Sequence, residues 1–130
     1  MTLFFLSGSR LFAQEENNDA NDKIRDKMTE FIQRRMNLTK NESEKFAPIF
    51  LRYFREWRST IQQNRGDRLI LQQKIIELRL RYRNDFKIIV GENRSNDVYR
   101  QQDVFMKELR TLKEDRLENR ANRRFRSIIQ

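Results

Sequence analysis

Apolar residues recur along this chain at helical spacing. Ile24, Met28, Phe31, Ile32 and Met36 fall at i, i+4, i+7, i+8 and i+12, one stripe of an amphipathic helix. The pattern predicts a first helix from about Asn21 to Met36. Phe46, Ile49, Phe50, Tyr53, Phe54, Trp57 and Ile61 form a second stripe, wider and strongly aromatic. A third follows at Leu71, Ile75, Leu78, Tyr82, Phe86 and Ile89, and a fourth at Val98, Phe105, Leu109 and Leu112. Beyond Leu112 the apolar positions thin to Leu117, Ala121, Phe125 and Ile128 among arginines. Residues 113–130 therefore read as a solvated helical extension or a frayed end. The runs Leu69-Ile70-Leu71 and Ile88-Ile89-Val90 sit inside helical stripes, so no strand is predicted. No repeat at a solenoid period is evident.

The breaks between stripes carry local signals. Leu38-Thr39-Lys40-Asn41-Glu42 has Thr at an N-cap position and Glu three residues later. That is a capping box: the hydroxyl accepts from the third amide of the helix and the carboxylate reaches back to the cap amide. Gln at position 42 is expected to complete the same box. Leu38 precedes the cap and is placed to staple onto the second turn. Pro48 lies inside the second stripe, where a missing amide and a ring clash predict a bend. In Asn64-Arg65-Gly66-Asp67, Gly66 is expected to close one helix and Asp67 to cap the next. The Arg-Gly-Asp letters are read as this turn rather than as an adhesion tripeptide. The third helix is expected to end at Val90-Gly91, with residues 92–96 as a linker.

Composition narrows the chemistry. The chain has 130 residues, enough for one domain, with only 3 Gly and 1 Pro. Such sparse turn punctuation argues against a β-sandwich or barrel, and the lack of a Gly-rich phosphate loop argues against Rossmann and P-loop enzymes. The sequence contains no Cys and no His. Disulfides, thiolate metal sites and thiol catalysis are excluded, and the commonest general base and transition-metal ligand are missing. Carboxylates such as Glu77, Glu114 and Glu118 alternate with arginines at helical spacing and read as solvated faces. No loop has the Asp/Asn/Gly density of a hard-cation site. No catalytic residue, metal ligand or cofactor is assigned, and the chain is read as a non-enzyme.

Net charge is +9. That balance suits nucleic acid, anionic lipid, or acidic and unfolded proteins. No apolar run approaches the ~18 residues a membrane-spanning helix needs. Residues 1–13, MTLFFLSGSRLFA, contain no acid, and Leu11-Phe12-Ala13 before Gln14-Glu15-Glu16 is similar to the end of a secretory signal peptide. The basic n-region is missing and Arg10 interrupts the apolar part. Residues 14–22 are acidic and amide-rich, and read as a flexible lead-in. The helical domain is expected at 23–112.

The second stripe covers two rows, wider than one face of a small bundle needs. It reads as core and dimer seam, or as an apolar binding surface. Arg52, Arg55 and Arg58 interleave with its aromatics. Phe54, off the main 46/50/53/57 row, is expected to be exposed. Arg52, Phe54, Arg55, Trp57 and Arg58 are the candidate partner-binding surface. Interleaved arginine and aromatic residues also bind single-stranded nucleic acid, although no groove-reading motif is present.

Residues 23 to about 112 resemble the Spy/CpxP-like LTxxQ proteins of the Gram-negative periplasm. The resemblance is closest to small exported helical proteins often labelled sensors of ECF-type sigma factors or periplasmic heavy-metal sensors. It is carried by three segments: Arg35 to Glu42 around Leu38, Thr39 and Glu42; Lys45-Phe46-Ala47-Pro48-Ile49-Phe50 through Tyr53; and Leu78 to Lys87. Glu42 stands where the family has Gln, and Gly91 to Ser95 replaces a second LTxxQ copy. The resemblance implies an all-α chain of four helices in a hairpin-like, dimeric Spy/CpxP-like arrangement. Its concave, positive surface would bind unfolded proteins or a signalling partner in the envelope stress response. The lack of His and Cys counts against metal sensing. The alternative is a cytoplasmic basic helical protein that binds nucleic acid.

Overall fold

The computed structural model describes the backbone of residues 8–129 and the side chains of residues 19–129. Among the described residues four helices follow one another: α1 (Gly8–Arg35), α2 (Lys40–Gln63), α3 (Arg68–Val90) and α4 (Asp97–Ile129), with a single 3-10 turn at Glu92–Arg94. No strand occurs among the described residues, and the fold is all-α.

Helix α1 starts earlier than its stripe does. Residues 14–22, expected to be a flexible lead-in, are helical. No Gly or Pro interrupts residues 9–35, and each residue added to an existing helix brings one more backbone bond. The expected leader lies outside the described residues over positions 1–7. Helix α1 ends in a Schellman motif. Asn37 takes the left-handed conformation (φ 55°), its amide donates to the Arg34 carbonyl (3.1 Å), and the Leu38 amide donates to the Gln33 carbonyl (3.0 Å). Leu38 then packs against the core.

The capping box is present at the start of α2. Thr39 Oγ1 accepts from the Glu42 amide at 3.1 Å, and Glu42 Oε1 accepts from the Thr39 amide at 3.0 Å. The helix runs unbroken through Pro48. It closes at Asn64 rather than at Gly66: the Asn64 amide donates to the Ile61 carbonyl and its side chain to the Thr60 carbonyl. Gly66 has no left-handed φ and open space where a Cβ would stand. Asp67 Oδ1 accepts from the amides of Leu69 and Ile70 and caps α3. Gly91 ends α3 at φ 88°, ψ 163°, a region almost confined to glycine.

Helices α2 and α3 form the tightest pair, and α1 packs on both α4 and α2. Residue 33 meets 43 while residues 21–25 lie beside 54–62, and residues 31 and 35 meet 105 and 101, so α1 runs antiparallel to α2 and to α4. The core is aromatic. Phe46, Phe50, Tyr53 and Phe86 have no exposed surface. Phe46 and Tyr53 meet the Phe86 ring at 5.5 and 5.9 Å between centroids. Fully burying a side chain of this kind contributes about 1.5–3 kcal/mol.

The aromatic off the main row of α2 is also internal. Phe54 and Trp57 are only 3% and 8% exposed, with ring centroids 5.6 Å apart. The expectation that Phe54 is exposed is therefore corrected. Helix α1 runs along that side of α2 and joins Met28 and Ile32 to the same core. One chain thus buries all five aromatics of the α2 stripe, while Ala47 stays exposed and Leu51 half-buried. From Arg110 to Ile129 every described residue of α4 is exposed, so the Arg-rich end is a solvated helical extension.

Candidate partner-binding surfaces

Two polar clusters lock the helices and set which surfaces remain open. The first is at the capping box. Glu42 divides its carboxylate: Oε1 serves the cap, and Oε2 accepts from Arg94 Nη2 at 2.5 Å. Arg94 also donates to the carbonyls of Val90 and Met36. One guanidinium thus ties the ends of α1 and α3 to the start of α2. The Thr39 amide is the main influence that holds the Glu42 carboxyl below the ordinary carboxylate range; burial opposes it and Arg94 adds to it. Gln at position 42 would keep the box and lose the charge pair, so the two residues are not interchangeable here.

The second cluster joins α2, α3 and α4. Tyr53 donates its hydroxyl hydrogen to Gln102 Oε1 at 2.6 Å. Arg79 Nε donates to the Tyr53 hydroxyl (3.2 Å) and Nη2 to Gln102 Oε1 (3.0 Å). The guanidinium then reaches Asp103 through both terminal nitrogens, at 2.7 and 3.3 Å. Tyr99 stacks under it, with the Arg79 Cζ atom 5.1 Å from the ring centre, and donates to the Arg79 carbonyl. Burial works against the Arg79 charge, but Asp103 and Tyr53 outweigh it and raise its pKa. Burial raises the Tyr53 and Tyr99 hydroxyls. Tyr82 is pushed up to about 12 by burial and by its bond to Glu56. Gln102 has no exposed surface, and its Nε2 is buried with no partner among the described residues. Sequence reading missed this cluster. The one available signal was the gap between Val98 and Phe105, where Gln102 fills the helical position that an apolar residue would take.

The expected α2 surface does not assemble as one patch. Arg55, Arg58 and Phe54 border a groove of about 460 Å³ between α1 and α2, closed on the α1 side by Asn21 and Arg25. Arg25 is neutralised there by Asp22 and Asp26 at 3.0 and 2.9 Å. Trp57 lies in the core. Arg52 faces the α3 side, close enough to Tyr82 to act on its hydroxyl. Leu38, Thr39 and Glu42 do meet, as the cap.

Helix α3 carries the apolar surface that α2 was expected to supply. Its inward face holds Leu78, Phe86 and Val90. Its outward face carries Leu69, Ile76 and Leu80, which are 76%, 58% and 52% exposed. They lie on one row with Gln73, Arg83 and Lys87, at alternating spacings of four and three, the spacing of a single helix face. The row is apolar toward the start of α3 and basic toward its end. Exposed aliphatic side chains grouped in this way mark a contact surface more often than isolated ones do.

Among the described residues no group of acidic side chains is arranged to hold a metal ion, and no helix is long and apolar enough to cross a membrane. No protein-family model, curated protein or solved structure matches the chain.

Proposed function

We propose that this chain is an exported, non-enzymatic helical protein of the cell envelope that acts by surface binding. It would hold partly unfolded proteins or engage a signalling partner during envelope stress. The supporting observation is the outward row of α3, where Leu69, Ile76 and Leu80 run into Arg83 and Lys87. Charge would draw a partner in, and the aliphatic residues would retain it at short range. The net charge of +9 acts in the same direction. Export rests on the Leu11-Phe12-Ala13 boundary and on the resemblance of residues 23–112 to the Spy/CpxP-like proteins. Pairing of two copies rests on that resemblance alone, since Phe54 is already buried within one chain.

Suppression of aggregation of an unrelated denatured protein, measured at 0.1 M and 1 M salt, tests the holding role. Arg55→Glu with Arg83→Glu should slow capture at low salt and matter little at high salt, where the Debye length falls from ~10 Å to ~3 Å. Leu69→Ser with Ile76→Ser and Leu80→Ser should weaken retention at both. Absence of suppression in the unsubstituted protein would discard the holding role and leave the signalling partner. Sedimentation at micromolar concentration tests pairing, and a monomer would remove it. Intact mass of protein from the envelope fraction of its host should begin at or near Gln14. A cytoplasmic product retaining Met1 would overturn export.

A further inference from the structure

The free end of α4 has a chemistry of its own. Leu117, Ala121, Phe125 and Ile128 fall at i, i+4, i+8 and i+11, one face of a helix. Leu117, Phe125 and Ile128 are 64%, 65% and 81% exposed, and no described residue of α1, α2 or α3 buries them. Between residues 116 and 129 there are five arginines against one glutamate. On a helical wheel, Arg120 and Arg124 run along one edge of the apolar row, and Arg116 and Arg123 lie on the back. The segment is therefore a basic amphipathic helix projecting from the packed body, about 21 Å long at 1.5 Å per residue.

Two requirements identify what covers it. The occupant must present negative charge along the edge of the row and accept apolar side chains at its centre. A nucleic-acid backbone meets the first and leaves Leu117, Phe125 and Ile128 facing phosphates. A second copy of the same segment meets the second and sets arginine against arginine. An anionic bilayer meets both. Acyl chains take the leucine, phenylalanine and isoleucine. Arginine stems lie along the boundary while their guanidinium groups reach lipid phosphates, which they bind in bidentate fashion. The row is narrow and convex, with no neighbouring element to form the wall of a groove, which suits a planar surface. The helix is too polar to span a membrane and suited to lie in its interface.

We propose that residues 116–129 of α4 dock this protein on anionic phospholipid surfaces, with the Leu117/Ala121/Phe125/Ile128 face sunk into the headgroup boundary. The inference is independent of client binding through α3. It gives the extension a task that the packed core does not need.

Co-sedimentation of the full chain with vesicles tests it, using phosphatidylglycerol mixed with phosphatidylcholine against phosphatidylcholine alone. Binding is expected to the anionic vesicles and to weaken with salt. Arg120→Gln with Arg123→Gln and Arg124→Gln should lower partitioning about a hundredfold, roughly fivefold for each arginine lost near the surface. Leu117→Ser with Phe125→Ser should lower it at every salt concentration, because this term is not screened. Unchanged helicity by circular dichroism shows that the variants remain folded, and all five positions are exposed. Equal binding to both vesicle types, or indifference to the Leu117 and Phe125 changes, would overturn the interfacial helix. So would failure to bind vesicles together with tight single-stranded nucleic-acid binding lost in the arginine variant. Self-association abolished by Leu117→Ser and Phe125→Ser, without lipid binding, would assign the face to a second copy instead.

Discussion

The Tyr53–Gln102–Arg79 cluster makes a quantitative claim about how α2, α3 and α4 are held together. Gln102 Oε1 accepts from both the Tyr53 hydroxyl and Arg79, while its Nε2 is buried without a partner among the described residues. Gln102→Leu removes that orphan donor and creates another, because the Tyr53 hydroxyl loses its acceptor. An unsatisfied buried group costs about 1–3 kcal/mol. With one orphan exchanged for another, the net loss should be ~1 kcal/mol, mostly from the bonds to Tyr53 and Arg79. Tyr53→Phe removes two bonds, the one donated to Gln102 and the one accepted from Arg79 Nε, and leaves Gln102 Oε1 still paired with Arg79, a loss of about 1–2 kcal/mol. In the double variant no hydroxyl is orphaned and Arg79 keeps its bidentate pair with Asp103. The double loss should therefore fall short of the sum by ~1 kcal/mol, within the range for residues in one network. Urea unfolding followed at 222 nm gives all four corners of the cycle, with the slope serving as a check that the transition stays two-state. Additivity within ~0.3 kcal/mol would refute the argument and mean that each side chain contributes by packing alone.

Further tests address the turns and the ionisable groups. Gly91→Ala should destabilise by about 1–3 kcal/mol through its backbone region alone, since no atom lies near the added Cβ. Gly66→Ala should stabilise by ~0.4–1 kcal/mol by restricting the unfolded chain, and equal effects at both glycines would contradict the assigned φ values. Thr39→Ala should cost ~1 kcal/mol in the same unfolding assay. For Glu42, whose carboxyl is held below its ordinary value of 4.5, the stabilising contribution is full above that value and is lost as pH falls through the depressed one. Glu42→Gln should lower neutral stability and flatten the acid limb of a stability–pH curve, and an unchanged limb would show that the Thr39 and Arg94 bonds do not matter. All three tyrosines are raised. Their contribution is present below pH ~10, the unfolded value, and lost as pH rises toward and past 12. Unfolding midpoints at pH 9 and 11, with tyrosinate absorbance read alongside, should show the decline, and titration at pH 10 with no loss of stability would contradict their burial.

The helices were legible because burial obeys periodicity. The stripes of α2 and α3 are the rows that the core uses, and Thr39 and Asp67 cap as their spacing requires. Local chemistry of that kind is written within a few residues. The misreadings have two causes. Contacts between segments distant in sequence hid the roles of Gln102, Glu42 and Phe54, whereas local backbone continuation and capping produced the helical lead-in and the closure of α2 at Asn64. Gln102 looks like an ordinary polar position until Tyr53 and Arg79 meet it. Glu42 looks like a cap alone until Arg94 arrives from a turn more than fifty residues away. The lead-in looks too polar to order by itself, yet the helix that follows it continues back through it.

The transfer of the apolar surface from α2 to α3 follows from the same logic. A helix with neighbours on two sides needs a wide apolar stripe, and α2 lies between α1 and α3. Its aromatic width is therefore consumed by packing, and the arginines between the aromatics are left at the edges. Helix α3 packs chiefly on α2. One apolar face satisfies that contact, so Leu69, Ile76 and Leu80 on the other face are surplus to the fold. A residue that the core does not require is the better place to look for a partner. By that reasoning the aliphatic row of α3 and the amphipathic end of α4, rather than the aromatic cluster that dominates the sequence, are the surfaces on which binding should be sought.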